Sequence, residues 1–138
     1  PLHAANEPGA GPLYEALNHL FWDPQVAALD LAVALLQNSD REAGLQLLAE
    51  VRDHFERLRA DGFASPMLSY QEARILALEG DLDKALEVLR KTIAAGFRCW
   101  CMDGDPALKN LWDNREFQSI VDDRNRLVEQ ERNKLQNS

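Results

Sequence analysis

The segment 73–96, ARILALEGDLDKALEVLRKTIAAG, constrains the fold of this chain more than any other part of the sequence. It combines the end of one helix, a break at Gly80-Asp81 and an amphipathic helix that ends at Gly96. Small residues at Ala73 and Ala85 would let two helices approach closely where they cross. The segment therefore predicts an antiparallel helical hairpin, a unit that usually stacks with others of its kind.

A looser copy of this hairpin lies earlier in the chain. The aligned positions are Ala32, Gly44, Leu45 and Leu48 against Ala73, Ala85, Leu86 and Leu89. The small residues would face each other within a hairpin, Ala32 against Gly44 and Ala73 against Ala85, and the leucines would fill the space between hairpins. Because one hairpin cannot bury both of its faces, we expect helices at 12–21 and 106–136 to cap the stack.

No segment shows the alternation of a strand, so the sequence predicts an all-α chain: a short stack of antiparallel hairpins with an N-terminal cap helix and a long C-terminal helix. Helix starts are indicated where proline follows a capping residue, at Pro24, Pro66 and Pro106. The apolar helix from Pro24 to Gln37 is expected to be the most buried element. The predicted divisions are a linker at 1–11 and one helical domain at 12–136, comprising a cap helix at 12–22, a degenerate hairpin at 24–62, a clear hairpin at 65–96, and a loop with C-terminal capping helices at 97–136.

Charge restricts the classes of partner. The chain carries a formal net charge of −8, which argues against nucleic-acid binding because neutralising phosphates needs clustered Lys and Arg. Most of the excess lies before Asp113, which favours basic or neutral partners. No apolar run is long enough for a membrane span, so we expect no membrane insertion. Starting at Pro1 without an initiator Met, the chain is expected to be part of a longer protein. The compartment is left open, with the cytoplasm preferred to a periplasmic domain of a membrane-anchored parent.

Candidate chemical sites are few. Cys99-Trp100-Cys101 lacks the second ligand pair of a structural zinc site, and a disulfide between such near neighbours would be strained, so we expect small residues packed around Trp100. Asp30, in the most apolar helix, is either a ligand-binding carboxylate or, as we prefer, the partner of a cation such as Arg52 or Arg57. The sequence contains no phosphate-binding loop, metalloprotease motif or nucleophile elbow. We therefore expect no catalytic residues, no metal and no cofactor.

Ala73, Gly80, Ala85 and Leu89 resemble the positions that define the tetratricopeptide repeat. The resemblance implies a right-handed superhelical stack whose first helices line a groove that binds a protein or peptide. Transferred to this chain, the groove residues of the second hairpin are Met67, Tyr70, Arg74 and Ala77. Met, Tyr and Arg suit peptide anchoring, as a flexible filler, a rigid ring and a forked donor. Whether a helix at 12–21 occupies this groove is left open.

The end of the chain is similar to the C-terminal repeat segment of multidomain bacterial signalling proteins, which carry cyclase-like or winged-helix domains. The features that carry this resemblance are Gly80-Asp81, Gly96, Trp100, Asp105-Pro106, Phe117 and the polar last helix with Arg132. It implies a non-catalytic regulatory or partner-docking segment. Two alternatives remain open: a homodimer formed through the C-terminal helix, and a small-molecule sensor with a pocket between helix 12–21 and the first hairpin.

Overall fold

The computed structural model describes residues 24–38, 40–98 and 102–137. These residues contain α-helices and short 3₁₀ helices and no strand, which confirms the all-α class. The elements are α1 (Pro24–Gln37), α2 (Arg41–Ala60), α3 (Pro66–Leu78), α4 (Leu82–Ala94), 3₁₀ helices at Met102–Gly104 and Pro106–Leu111, and α5 (Arg115–Gln136). The predicted linker, the cap helix at 12–22 and the Cys99-Trp100-Cys101 motif lie outside the described residues.

The chain forms two compact units, which divide between Gln71 and Glu72 within α3. In the first unit α1 and α2 pack together as a hairpin. Their buried apolar residues are Leu29, Ala32 and Val33 from α1 with Leu48, Val51 and Phe55 from α2. A β-carbon added at Gly44 would lie 2.8 Å from Leu36 Cγ, so the two helices do require a small residue at this crossing. The atoms nearest to that position belong to Leu36 and not to the expected Ala32.

Two further expectations for the first unit were wrong. Helix α1 is not the most buried element, because only Leu29, Ala32 and Val33 are buried and much of its apolar surface is exposed. Leu45 is 42% exposed and does not fill an interior space. Asp30 is exposed, and its pairing with Arg52 or Arg57 remains a prediction. An apolar composition around a helix did not indicate which of its sides is covered.

Glycine ends two of the predicted helices as expected. Gly80 and Gly96 have φ of +87° and +109°, a region that is unfavourable for residues with a β-carbon. After α4, the Gly96 N–H bonds to Ile93 O at 3.1 Å and the Phe97 N–H to Thr92 O at 3.2 Å, the paired bonds of a Schellman motif. This motif satisfies carbonyls at the end of α4.

Side-chain caps fix the starts of three elements, and two of these starts, at Pro66 and Pro106, were predicted from the sequence. Ser65 Oγ accepts from the Met67 N–H at 3.1 Å at the start of α3, and Asn114 Oδ1 accepts from the Phe117 N–H at 3.1 Å at the start of α5. Asp105 Oδ1 accepts from the Ala107 N–H at 3.0 Å, although the predicted short helix that follows is a 3₁₀ helix. Each bond satisfies a donor that the helix itself leaves free.

The second unit is built on α4, α5 and the two 3₁₀ helices, with α5 packed against α4. Its buried apolar residues include Ala85, Leu86, Leu89, Ile93, Met102, Leu108, Leu111, Phe117 and Ile120. From Glu129 onward every described residue of α5 is exposed, so the far end of this helix is not packed against the rest of the described unit. The right-handed superhelical arrangement of tetratricopeptide repeats remains a prediction.

Candidate functional site

The four predicted docking residues lie on α3, but most of them are not on an open surface. Tyr70, Arg74 and Ala77 are buried, and Met67 is half-buried. A partner could therefore reach only Met67 without rearrangement of the chain. The participation of these four residues in partner binding remains a prediction, and the described face of α3 is not the open groove that the repeat pattern suggested.

Arg74 forms a buried ion pair within the second unit. Its Nε lies 3.0 Å from Asp105 Oδ2, and both side chains are only 8% exposed. The other oxygen of Asp105 caps the 3₁₀ helix at Pro106–Leu111. Burying a guanidinium is costly unless an opposite charge is held against it. Asp105 therefore neutralises Arg74 and orders the 3₁₀ helix with a single carboxylate.

An open cavity of about 160 Å³ lies elsewhere in the second unit. It is lined by Asp103, Trp112, Phe117, Gln118, Val121 and Asp122, and we call it the Trp112 cavity. Positions 117, 118, 121 and 122 share one side of α5, since residues three to four apart are neighbours on a helix. Asp103 belongs to the first 3₁₀ helix, and Trp112 follows the second. Three elements thus contribute to one cavity.

The Trp112 cavity combines an apolar base with two carboxylates. Phe117 is buried and Val121 half-buried, whereas Trp112 is 36% exposed, one of the few large apolar side chains on the described surface. Asp103 is 52% exposed and lies 3.3 Å from Arg124 Nη1. Asp122 is exposed, and the described residues offer it no hydrogen bond or ion pair. An aromatic face next to carboxylates is suited to a cation on an apolar stem.

The main chain holds Trp112 in place. Its N–H bonds to Lys109 O at 3.2 Å, and its carbonyl accepts from Gln118 Nε2 at 3.3 Å. The second bond ties the end of the 3₁₀ helix to the first turns of α5. The ring is therefore carried on a backbone fixed at two points, which lowers the entropy that binding would cost.

A second, larger groove of about 450 Å³ runs along α5 and is lined in part by Arg98, Arg124 and Arg132. These arginines already have acceptors. Arg98 Nη1 donates to Ile93 O at 2.6 Å, at the carboxyl end of α4, and its Nη2 pairs with Glu131 at 3.1 Å. Arg124 and Arg132 are also paired with carboxylates. Two of these pairs, Arg98–Glu131 and Arg124–Asp103, join α5 to residues outside it, so the groove is lined by arginines that already make structural contacts.

No metal site is formed by the described residues, among which no three His, Cys, Asp or Glu side chains cluster suitably. The helices in this part of the chain are also too short or too polar to cross a membrane. Asp30, the other candidate ligand residue, is exposed on α1 and lines neither the Trp112 cavity nor the groove along α5.

Trp112, Asp103 and Asp122, which line the Trp112 cavity, were not predicted from the sequence as candidate site residues. The sequence did contain one indication of this position. Trp112 directly follows Leu111, a buried residue of the second 3₁₀ helix, and lies two residues before Asn114, the cap of α5. It therefore lies where two packed elements meet.

Comparison of the chain with protein families, with curated proteins and with solved structures found no match.

Proposed function

We propose that this chain is a non-catalytic protein–protein interaction module, and that it holds a partner by a Lys or Arg side chain at the Trp112 cavity. The observation that supports this most strongly is the part-exposed Trp112 ring beside two carboxylates, Asp103 and Asp122. Tryptophan is enriched among the residues that contribute most to protein interfaces. A cation over its ring gains about 0.5–2 kcal/mol.

The size of the cavity indicates what it can hold. Sites for small molecules and cofactors usually enclose about 300–1,000 Å³, and this one measures about 160 Å³. It has room for one long side chain and not for a whole metabolite. The apolar stem of a lysine would lie on Trp112 and Val121, with its ammonium at Asp122, because Asp103 is already paired with Arg124. The cavity volume therefore fits a partner that inserts one side chain and keeps the rest of its chain outside the cavity.

Charge supports a basic partner as well. The chain has a net charge of −8, so a basic segment is attracted before it makes contact. Because exposed ion pairs are weak and screened by salt, the carboxylates would contribute more to selection of the partner than to affinity. In this proposal the chain serves as the regulatory or docking segment of a larger bacterial signalling protein, which rests on the resemblance at its end.

The test is the affinity of the full chain for the peptide acetyl-Gly-Lys-Gly-amide. We expect a weak dissociation constant of about 1–10 mM, since a single side chain contributes only about 3–4 kcal/mol. Asp122→Asn should weaken binding severalfold because it removes one charge at the cavity. Asp83→Asn, at an exposed position in the first turn of α4, is the matched control and should leave the affinity unchanged.

Trp112→Leu should also weaken binding, because leucine keeps apolar bulk but provides no aromatic face. Equal affinities of the native chain, Asp122→Asn and Trp112→Leu for the lysine peptide would refute the assignment of this cavity.

A further inference from the structure

Helix α5 carries an arginine on its buried side, where an apolar residue is normally found. The buried residues of α5 are Phe117, Ile120 and Arg124, which lie three and four positions apart on one side of the helix. The Arg124 side chain is only 7% exposed. Burial of a guanidinium is costly, and an apolar side chain at this position would avoid that cost. The charge of Arg124 is therefore a candidate for a role beyond packing.

Asn125 holds the Arg124 guanidinium next to the Trp112 cavity. Arg124 Nε and Nη2 donate to Asn125 Oδ1 at 3.1 and 2.7 Å. Arg124 Nη1 lies 3.3 Å from Asp103 Oδ1, which is longer than the roughly 2.7–2.9 Å of a strong charge-assisted bond. Asp103 is 52% exposed and lines the cavity. Arg124 is thus a positive charge that is fixed beside one of the two cavity carboxylates.

We propose that Arg124 is a specificity-determining residue of the Trp112 cavity, because it competes with the cation of a partner for the charge of Asp103. This inference rests on the proposed function. A lysine ammonium at the cavity is attracted by Asp103 and Asp122 and repelled by Arg124, so it meets one net negative charge. Because Arg124 is buried, salt screens its charge less than that of an exposed arginine. Arg124 therefore limits how strongly the cavity prefers a charged side chain to an apolar one.

The test compares the affinities of the native chain and of Arg124→Met for acetyl-Gly-Lys-Gly-amide. Methionine keeps apolar bulk at the buried position, and Asp103 is exposed enough for water to solvate it once Arg124 is removed. Without Arg124, the charge of Asp103 should tighten binding of the lysine peptide by about two- to fivefold, the effect of one exposed ion pair. The same peptide with norleucine in place of lysine should bind equally to both chains, because it carries no charge.

Arg126→Met is the matched control. Arg126 is an exposed arginine of α5 whose Nη2 lies 3.0 Å from Asp123 Oδ1, so this variant also removes one positive charge and releases one aspartate. Among the described residues, Asp123 is not part of the cavity lining, and the affinity for the lysine peptide should stay unchanged. In the double variant Arg124→Met with Asp103→Asn, the gain in affinity should be lost, since the released carboxylate is no longer charged.

Circular dichroism checks that each variant is folded. If Arg124→Met is not, Arg124→Gln provides the same comparison, because it also removes the charge but keeps a polar group near Asp103.

Two results would overturn this inference and leave the proposed function standing. One is binding of the lysine peptide that depends on Trp112 but is equally strong in the native chain, Arg124→Met and Arg126→Met. The other is a gain in Arg124→Met that is as large for the norleucine peptide or that persists in the double variant, since Arg124 would then act through the shape of the cavity. No binding of the lysine peptide by any of these chains would instead refute the proposed function, and this inference with it.

Discussion

Replacement of Asp105 tests whether one carboxylate supports the second unit in the way its contacts indicate. Asp105 caps a 3₁₀ helix through Oδ1 and holds Arg74 Nε at 3.0 Å through Oδ2. Loss of a cap costs about 1 kcal/mol. Removing one member of a buried ion pair costs about 3–5 kcal/mol, because the other charge stays buried without compensation. Asp105→Ala should therefore lower the free energy of unfolding by about 5 kcal/mol, a large part of the 5–15 kcal/mol typical of a domain.

Two further variants divide this loss into its parts. Asn caps helices about as well as Asp, so Asp105→Asn keeps the cap and should cost about 3 kcal/mol, mainly from the loss of charge opposite Arg74. The double variant Arg74→Met with Asp105→Asn removes both charges and should return to within about 1 kcal/mol of the native chain, since apolar replacement of a buried pair is often neutral.

Urea unfolding followed by circular dichroism measures these differences. Asp83→Ala is the control, because Asp83 is an exposed acid in the first turn of α4 and its loss should cost about 0.5 kcal/mol at most. The reasoning is refuted if Asp105→Ala costs no more than a lost cap, or if the double variant is as unstable as Asp105→Asn. The outcome also affects the prediction that Arg74 on α3 binds a partner. If the ion pair is required for folding, an Arg74 variant would lose partner binding because it unfolds, and that loss would not show a direct contact with the partner.

Two other substitutions have expected outcomes. Gly44→Ala should destabilise the chain by about 1 kcal/mol, because a clash of about 1–3 kcal/mol with Leu36 outweighs the helix preference of about 1 kcal/mol for alanine. Thermal unfolding measures this loss. Gly104→Ala is the control and should show no comparable loss, because its added carbon meets open space. Asn114→Ala should cost about 1 kcal/mol because the Phe117 N–H loses its acceptor, and Asn114→Ser should recover most of it; equal losses in both variants would show that the cap is not responsible.

The helix boundaries could be predicted because they depend on bonds between residues close in sequence. Ser65, Asp105 and Asn114 cap the elements that they precede, and Gly80 and Gly96 end α3 and α4 with a positive φ. Each signal acts within about one helical turn, so a single sequence contains all the information. The same locality explains the correct all-α class.

Features that depend on distant contacts were not predictable in this way. Arg74 was assigned to a binding surface because its partner Asp105 lies far along the chain, and only the structure brings the two charges together. Apolar residues on all sides of α1 indicated that the helix is buried, yet Leu31 is exposed. The apolar pattern of a helix does not show how many other elements pack against it. The Trp112 cavity was missed for a similar reason, as its lining comes from three elements.

The most direct test of the proposed function is the response of the Trp112 side chain to a cation. In ¹H–¹⁵N spectra of the full chain, the indole N–H resonance of Trp112 can be assigned by its loss in Trp112→Phe. Acetyl-Gly-Lys-Gly-amide should shift this resonance in a saturable way, with the Val121 amide. The same peptide with norleucine in place of lysine keeps the apolar stem without the charge and should leave both resonances nearly unchanged. Equal shifts with the two peptides, or none with either, would contradict recognition of a basic side chain at this cavity.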